Sequence, residues 1–245
     1  MTDWPVDWIV PGWPAPKQVR ACVTTRKGGT SQAPFDSFNL GDHVDDDPTA
    51  VAANRQRLQS LLGCEPAWMS QVHSSTVVEA DPNACLVADA NWTSVPGIAS
   101  AVLTADCLPV LFCSLDGSQV AAAHAGWRGL ADGVLEATVA AMDNSGTQLM
   151  AWLGPAIGPD AFEVGAEVRE AFVSRHAIAA EAFVPSRNAG RYMADIYQLA
   201  RIRLAACGVT DVFGGGFCTV TDPRFYSYRR AARTGRFASL VWIDG

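Results

Sequence analysis

A chain of 245 residues with 49% apolar and 18% charged residues can bury a sizeable core, which excludes disorder, collagen and coiled coil on composition. Its formal charge of −7 argues against a general nucleic-acid binder, which would normally be basic. No apolar run is long enough for a transmembrane helix, and the best of them, 95–105, stops at Asp106.

Residues 1–18 are expected to form an N-terminal arm packed on the body, with 19–245 as a single domain. The stretch 1–16 holds four prolines and three tryptophans, so it should be irregular, and three exposed indoles would be costly. It contains Asp3 and Asp7 but no Lys or Arg, so the basic start of a secretory leader is missing. Seven cysteines, an odd number without tight spacing, fit a reducing cytoplasm.

Asp47 before Pro48 is a helix cap and first position, and Gly63 closes the segment. Val51, Leu58, Leu61 and Leu62 share one helical stripe between them. Apolar runs bounded by Gly, Pro or Asp predict strands over 98–104, 108–113, 119–123, 149–153, 209–213 and 238–243. Helical patterns cover 130–142, 164–173 and 194–206, the last with Asp195 near its start and Gly208 past its end. Together these predict a mixed α/β fold of α+β-like character: a single layered domain, with a mixed β-sheet core flanked by helices.

Three segments run from an apolar stretch into reactive residues: Gln71-Val72-His73-Ser74, Thr104-Ala105-Asp106-Cys107 and Ala123-His124-Ala125-Gly126-Trp127-Arg128-Gly129. Ligand sites of open α/β folds gather where strands end, so these endings could converge. A fourth segment, Gly154 to Pro159, has two Gly-Pro pairs that suit a rigid, bent loop. His73, Cys107 and His124 make a three-ligand set for a borderline metal. Catalytic zinc commonly keeps three protein ligands and leaves a fourth position for water. The separations of 34 and 17 residues match no local finger pattern, and Cys107 taken alone reads as a small buried residue. The same three residues suit a thiol nucleophile with a histidine base almost as well.

His43, followed by Asp45, Asp46 and Asp47, reads as a solvated loop feeding the helix cap, and His176 as structural on a helix. Cys22, Cys64, Cys85, Cys113, Cys207 and Cys218 have no paired motif, and most read as filler. The stretch Arg224-Phe225-Tyr226-Ser227-Tyr228-Arg229-Arg230 runs on to Arg233 and Arg236, with five of the 18 basic residues and no acid. In an acidic protein this is the best anion site in the chain. Its aromatics could stack a base while guanidinium groups hold a phosphate, with Arg26 and Arg128 joining from elsewhere.

These motifs, in order, resemble the YfiH-like family, labelled multicopper polyphenol oxidoreductases (laccases) and later purine nucleoside phosphorylases. The resemblance runs from about residue 20 to the end. It rests on Thr24-Thr25-Arg26-Lys27-Gly28-Gly29, Asn39-Leu40-Gly41, Gln71-Val72-His73, Ala105-Asp106-Cys107-Leu108-Pro109-Val110, His124 to Gly129, Gly154 to Gly158, Cys218-Thr219, Tyr226 to Arg230 and Thr234-Gly235-Arg236. It implies one mixed α/β domain with a zinc held by His73, Cys107 and His124. It also implies phosphorolysis of adenosine, inosine, guanosine and methylthioadenosine, and hydrolytic deamination of adenosine. Cys107, Asp106 and Arg128 are then catalytic candidates, with Arg26, Asn39, Gln71, Ser227 and Arg229 as substrate-binding ones. The partners expected are a purine nucleoside and phosphate, with no nucleic acid and no membrane.

Four other readings compete. A copper laccase would need many more imidazoles than the two histidines left outside the trio, so oxidase activity would come from adventitious copper at the same ligands. A Cys107 hydrolase with His124 or His73 as base would survive a chelator, whereas a zinc enzyme would not. Within the family, zinc hydrolysis is also implicated in peptidoglycan-precursor editing, where serine is removed from UDP-muramoyl-L-Ser and arginines would suit the diphosphate. A non-enzymatic scaffold with structural zinc would need a fourth protein ligand, such as Cys218 or His43.

Overall fold

The computed structural model describes residues 4–142 and 146–245, so Met1, Thr2 and Asp3 of the expected arm lie outside the described residues. In chain order the first elements are β1 (Val19–Val23), α1 (Pro48–Leu62), β2 (Glu65–Ala67), β3 (Met69–Ser70), β4 (Val77–Glu79), β5 (Leu86–Val87) and β6 (Ala90–Thr93). The centre holds β7 (Ile98–Thr104), β8 (Leu108–Ser114), β9 (Val120–Ala125), α2 (Trp127–Asp132), α3 (Val134–Ala141) and β10 (Leu149–Leu153). The last elements are β11 (Glu163–Gly165), α4 (Ala166–Val173), β12 (Phe183–Pro185), β13 (Arg191–Ala194), α5 (Ile196–Ala206), β14 (Asp211–Gly214) and β15 (Phe237–Ile243).

Two larger sheets share a core. One has strand order β1-β15-β7-β2 and is antiparallel except for β7 with β2. The other runs β14-β10-β8-β9-β6-β4, parallel at its two ends and antiparallel through the middle. Successive side chains alternate between faces, and both faces are covered. Along β15, Phe237, Val241 and Ile243 enter the core between the sheets. Ala238, Leu240 and Trp242 turn outward to Leu58 of α1 and Trp8 of the arm. Along β8, Leu111 and Cys113 face the other sheet, while Val110 and Phe112 meet Leu130, Val134 and Leu135 of the helical layer. Double burial is why these strands read as unbroken apolar runs rather than alternating ones. The order of layers is arm with α1, sheet, sheet, helices: a mixed α/β architecture, as expected.

Local signals explain most of the ends. The Asp47 carboxylate accepts the Thr49 N–H at 2.9 Å, Pro48 opens α1 and Gly63 closes it in the left-handed region. The expected helix over 130–142 is instead two helices, because Gly133 takes φ 105 and ends the first before the second begins. The pattern over 164–173 starts as the short strand β11, and α4 follows only from Ala166. Asp195 is the cap of α5, accepting from the N–H groups of Tyr197 and Gln198. His176 is not on a helix: it sits in extended backbone before a 3₁₀ turn. Residues 4–18 carry one isolated bridge, Ile9 to Val23, and the Trp4 indole N–H donates to the Leu61 carbonyl at 3.0 Å.

Candidate active site

The strand ladder itself gathers the site. In the β8–β9 pair Pro109 lies opposite His124, so Cys107, just before β8, stands at the same end of the sheet. On the other side of β9, Ala90 of β6 lies opposite Ala123, and the His124 N–H donates to the Asp89 carbonyl at 2.7 Å. The turn carrying His73 folds over Asp89. As a result one donor atom from each of His73, Cys107 and His124 lies within 4.8 Å of the other two. Cys107 Sγ is 3.8 Å from His73 Nε2, and the two imidazoles meet edge-on with centroids 4.8 Å apart. No other such cluster occurs among the described residues, the acidic loop after His43 included.

Asp89 builds this geometry, and no sequence motif singled it out. It is fully buried, and its Oδ1 accepts the His73 N–H at 2.9 Å and faces His124 Nδ1 at 2.8 Å. Its Oδ2 accepts from the N–H groups of Val72 and Ser74 and from the Ser74 hydroxyl. One carboxylate therefore fixes the His73 turn and directs the other ring nitrogen of His124 toward the cluster, a support common behind metal-binding histidines. The available signal was a carboxylate inside the apolar run Val87-Ala88-Asp89-Ala90, which demands partners. His73 holds φ 62, a left-handed conformation unfavourable for its side chain and here imposed by the Asp89 bonds.

The charges reinforce one another. Burial would raise the Asp89 carboxyl, but hydrogen bonds from His124 and Ser74 outweigh it and bring it to about 2. Burial also opposes ionisation of Cys107, yet the adjacent His124 charge and bonds to both histidines lower its thiol to about 6. His124 moves the other way: burial disfavours the imidazolium, and Cys107 with Asp89 raises it to about 9. Between these values the metal-free protein holds a thiolate beside an imidazolium. Gly126 lies directly behind the cluster, where an added Cβ would stand 2.9 Å from His73 Cδ2 and 3.0 Å from Cys107 Sγ. Two nitrogens and an ionised sulfur, with one tautomer fixed, fit a metal of borderline softness.

The cluster opens into a cavity of about 350 Å³. Leu103, Ile157, Phe162 and Ile196 give it apolar walls, Trp127 and Tyr228 flat ones, and His43, Arg229 and Arg236 a basic side. Gln71 lines it too, with its amide bonded both ways to the Leu103 backbone at 2.9 and 2.8 Å. Asp106 also lines it, but its carboxylate is engaged: Oδ1 accepts from Thr219 Oγ1 and Oδ2 from the Arg229 N–H, both at 2.6 Å. Its backbone is not extended but left-handed, φ 88. Arg229 donates to the carbonyls of Ala161 and Glu163, so its fork is held against the rim.

Four expected residues are not among those lining the cavity. Arg26 pairs with Asp36 and lies over the Tyr226 ring. Arg128 is exposed, its guanidinium 4.5 Å from the centroid of the Trp127 ring. Ser227 is buried and accepts the Arg230 N–H. Asn39 is buried behind the basic side, where its Oδ1 accepts from the N–H groups of Gly41 and Arg236. In turn Phe162 lines the cavity without having been picked out, while Arg236, expected only as part of an anion-binding stretch, and His43, expected on a solvated loop, line it as well, all three delivered by loops.

A family model described as multi-copper polyphenol oxidoreductase laccase matches residues 20–244. A Pseudomonas aeruginosa protein named purine nucleoside phosphorylase is 68% identical over 238 residues, covering 97% of this chain and 98% of its own. Escherichia coli purine nucleoside phosphorylase YfiH is 53% identical over 240 residues, covering 96% and 98%. Among solved structures, a Neisseria meningitidis protein superposes with TM-score 0.94 at 49% identity, covering 97% of this chain and 99% of its own. YlmD from Geobacillus stearothermophilus gives TM-score 0.87 at 28% identity, covering 97% and 96%.

Proposed function

This chain belongs to the YfiH-like family, whose model is described as multi-copper polyphenol oxidoreductase laccase, and we propose that it is a zinc-dependent purine nucleoside phosphorylase. The observation that carries this reading is a three-donor metal cluster opening directly into a cavity with aromatic and basic walls. The names of the close relatives support the substrate class. Adenosine, inosine, guanosine and methylthioadenosine are the proposed nucleosides, and residues 19–245 form the catalytic unit.

His73, Cys107 and His124 would hold the zinc, which supplies a Lewis acid to polarise an oxygen or lower the pKa of water. In phosphorolysis a phosphate oxygen bonds to the anomeric carbon of the ribose. The bond from that carbon to the purine breaks, and the purine leaves with the electron pair and takes up a proton. Trp127, Phe162 and Tyr228 offer flat surfaces to the base, and the basic side attracts the phosphate. Asp106 holds the Arg229 segment in place, and Arg128 acts through Trp127. Adenosine deamination is the second proposed activity, favoured by a ligand set that, among the described residues, stops at three within an open cavity.

The other readings find less support. Four histidines, two of them in the cluster, leave only His43 and His176 for further copper. Copper at the trio would be adventitious. A thiol hydrolase could use the low Cys107 pKa of about 6, and loss of activity on chelation would remove that reading. Editing of UDP-muramoyl-L-Ser would use the same metal and basic wall. No helix among the described residues is long and apolar enough to cross a membrane. We place the protein in the cytoplasm, in keeping with seven free cysteines.

Mass-spectrometric product analysis of the zinc-loaded protein with adenosine, with and without phosphate, tests the proposal. Adenine and ribose 1-phosphate should appear only with phosphate, and inosine should appear in both tubes. No product in either would overturn the purine assignment and make UDP-muramoyl-L-Ser the substrate to try.

A further inference from the structure

Most arginines near the site are already neutralised or tied down. Arg26, Arg55 and Arg224 each pair with a carboxylate, and Arg229 spends both terminal nitrogens on backbone carbonyls. Arg236 differs. It lines the cavity, and its Nη1 donates to the carbonyls of Thr234 and Gly235 at 3.0 and 3.1 Å. Among the described residues no acceptor meets its Nε or Nη2, and no carboxylate lies within ion-pair distance of it. Burial works against its charge, while Cys107 and Asp106 are near enough to act in the opposite direction.

His43 lines the same cavity beside it. Its Nδ1 lies 3.5 Å from Asp42, which is itself held by Arg55 at 3.2 Å, so Nε2 is the nitrogen left for a ligand. Two loops far apart in the chain bring these groups together. Buried Asn39 fastens both, accepting from the Gly41 N–H at 3.0 Å and the Arg236 N–H at 2.8 Å. Gly41 also lets the loops touch, since a Cβ there would come 2.8 Å from Arg236 Cγ. A half-buried guanidinium with two nitrogens free to donate, flanked by an imidazole nitrogen that can accept the P–O–H of hydrogen phosphate, is an arrangement that takes a tetrahedral oxyanion.

We propose that Arg236 and His43 form the inorganic-phosphate subsite of the cavity, on the wall facing the metal cluster, with Asn39 as the positioning residue that joins their loops. As the site of the attacking phosphate it rests on the phosphorolysis reading; as a phosphate-binding site it does not. A phosphate ester of a nucleotide presents the same chemistry, so the test separates the two sources.

Equilibrium dialysis with labelled inorganic phosphate, on the zinc-loaded protein, measures the site directly. Wild type should bind phosphate saturably. Arg236→Gln should weaken it about 10–100-fold, the range for losing a charge-assisted hydrogen bond, and His43→Ala about 3–10-fold, the range for losing an ordinary one. Zinc content should stay unchanged and inosine binding should shift less than about twofold, a smaller effect than any lost hydrogen bond to it would give. Arg236→Lys, which keeps the charge, and His43→Ala, on an exposed loop, carry the test if Arg236→Gln misfolds. Absence of saturable phosphate binding to wild type, or phosphate affinity indifferent to both positions, would overturn the site. So would a loss confined to adenosine 5′-monophosphate, which would assign the wall to a nucleotide ester. Arg236-dependent phosphate binding without nucleoside turnover would remove the phosphorylase reading and leave this site standing.

Discussion

The two walls of the cavity are built by different means. On the metal side, Cys107 and His124 stand at the ends of neighbouring strands, and the β6–β9–β8 ladder fixes their spacing before any side chain is considered. On the basic side, loops near residues 39–43, 157–162 and 227–236 meet without a shared ladder. There, single buried polar groups act as ties: Asn39 holds the Arg236 N–H and Asp106 holds the Arg229 N–H. Asp89 does similar work on the side of the cluster, holding the turn of His73, which no strand delivers, and orienting the His124 ring. A ladder gives rigidity suited to coordination, whereas tethered loops give an anion wall whose integrity hangs on one or two hydrogen bonds.

The largest test of this contrast is removal of a ligand. Cys107→Ala, His73→Ala and His124→Ala should each lose zinc and turnover while thermal unfolding stays cooperative, because the ladder does not depend on them. Full activity in any of the three would break the site assignment. Next comes ionisation of Cys107 in the metal-free protein. At pH 6 about half of it should be thiolate, against about one in a thousand for a thiol at the ordinary value near 9. Iodoacetamide labelling of its peptide should therefore be half-maximal near pH 6, level off above about pH 7 and be blocked by zinc. Half-maximal labelling near pH 9 would show that the charges do not reinforce as described.

Asp89→Asn and Asp106→Asn then separate the walls. The first should weaken zinc about 10–100-fold, as losing the support behind a ligand does. The second should keep zinc, lower stability by about 1–3 kcal/mol and reduce both activities together, since it removes a charged acceptor of two hydrogen bonds. If Asp106→Asn retained its stability and lost deamination alone, Asp106 would be a proton carrier instead. The smallest effect should be Arg128→Ala, which removes a cation–π contact worth about 0.5–1 kcal/mol at an exposed site. Phosphate use and deamination should fall by the same small factor. A selective loss of phosphate use would place Arg128 on the substrate.

This asymmetry also governs what could be read from sequence. The His73, Cys107 and His124 cluster was legible because each residue sits in a short run of reactive residues next to an apolar stretch, as in His124-Ala125-Gly126-Trp127-Arg128-Gly129. The layered fold was legible because β7, β8, β10 and β15 are buried on both faces and stand out as apolar runs. Strands of two to four residues, such as β3, β5 and β11, carry too few side chains to show a period. Asp89 escaped notice because most of its partners are backbone N–H groups, which leave no trace in a sequence. His43 and Arg236 were visible as residues, but their meeting depends on Asn39 across about two hundred positions, beyond any local pattern.

X-ray absorption at the zinc edge tests most directly whether His73, Cys107 and His124 form an open metal centre. The zinc-loaded protein should show one sulfur at about 2.3 Å and two imidazole nitrogens at about 2.0–2.1 Å. One remaining light atom should complete the shell, and Cys107→Ala should remove the sulfur. Four protein ligands, or a spectrum unchanged by Cys107→Ala, would contradict the account.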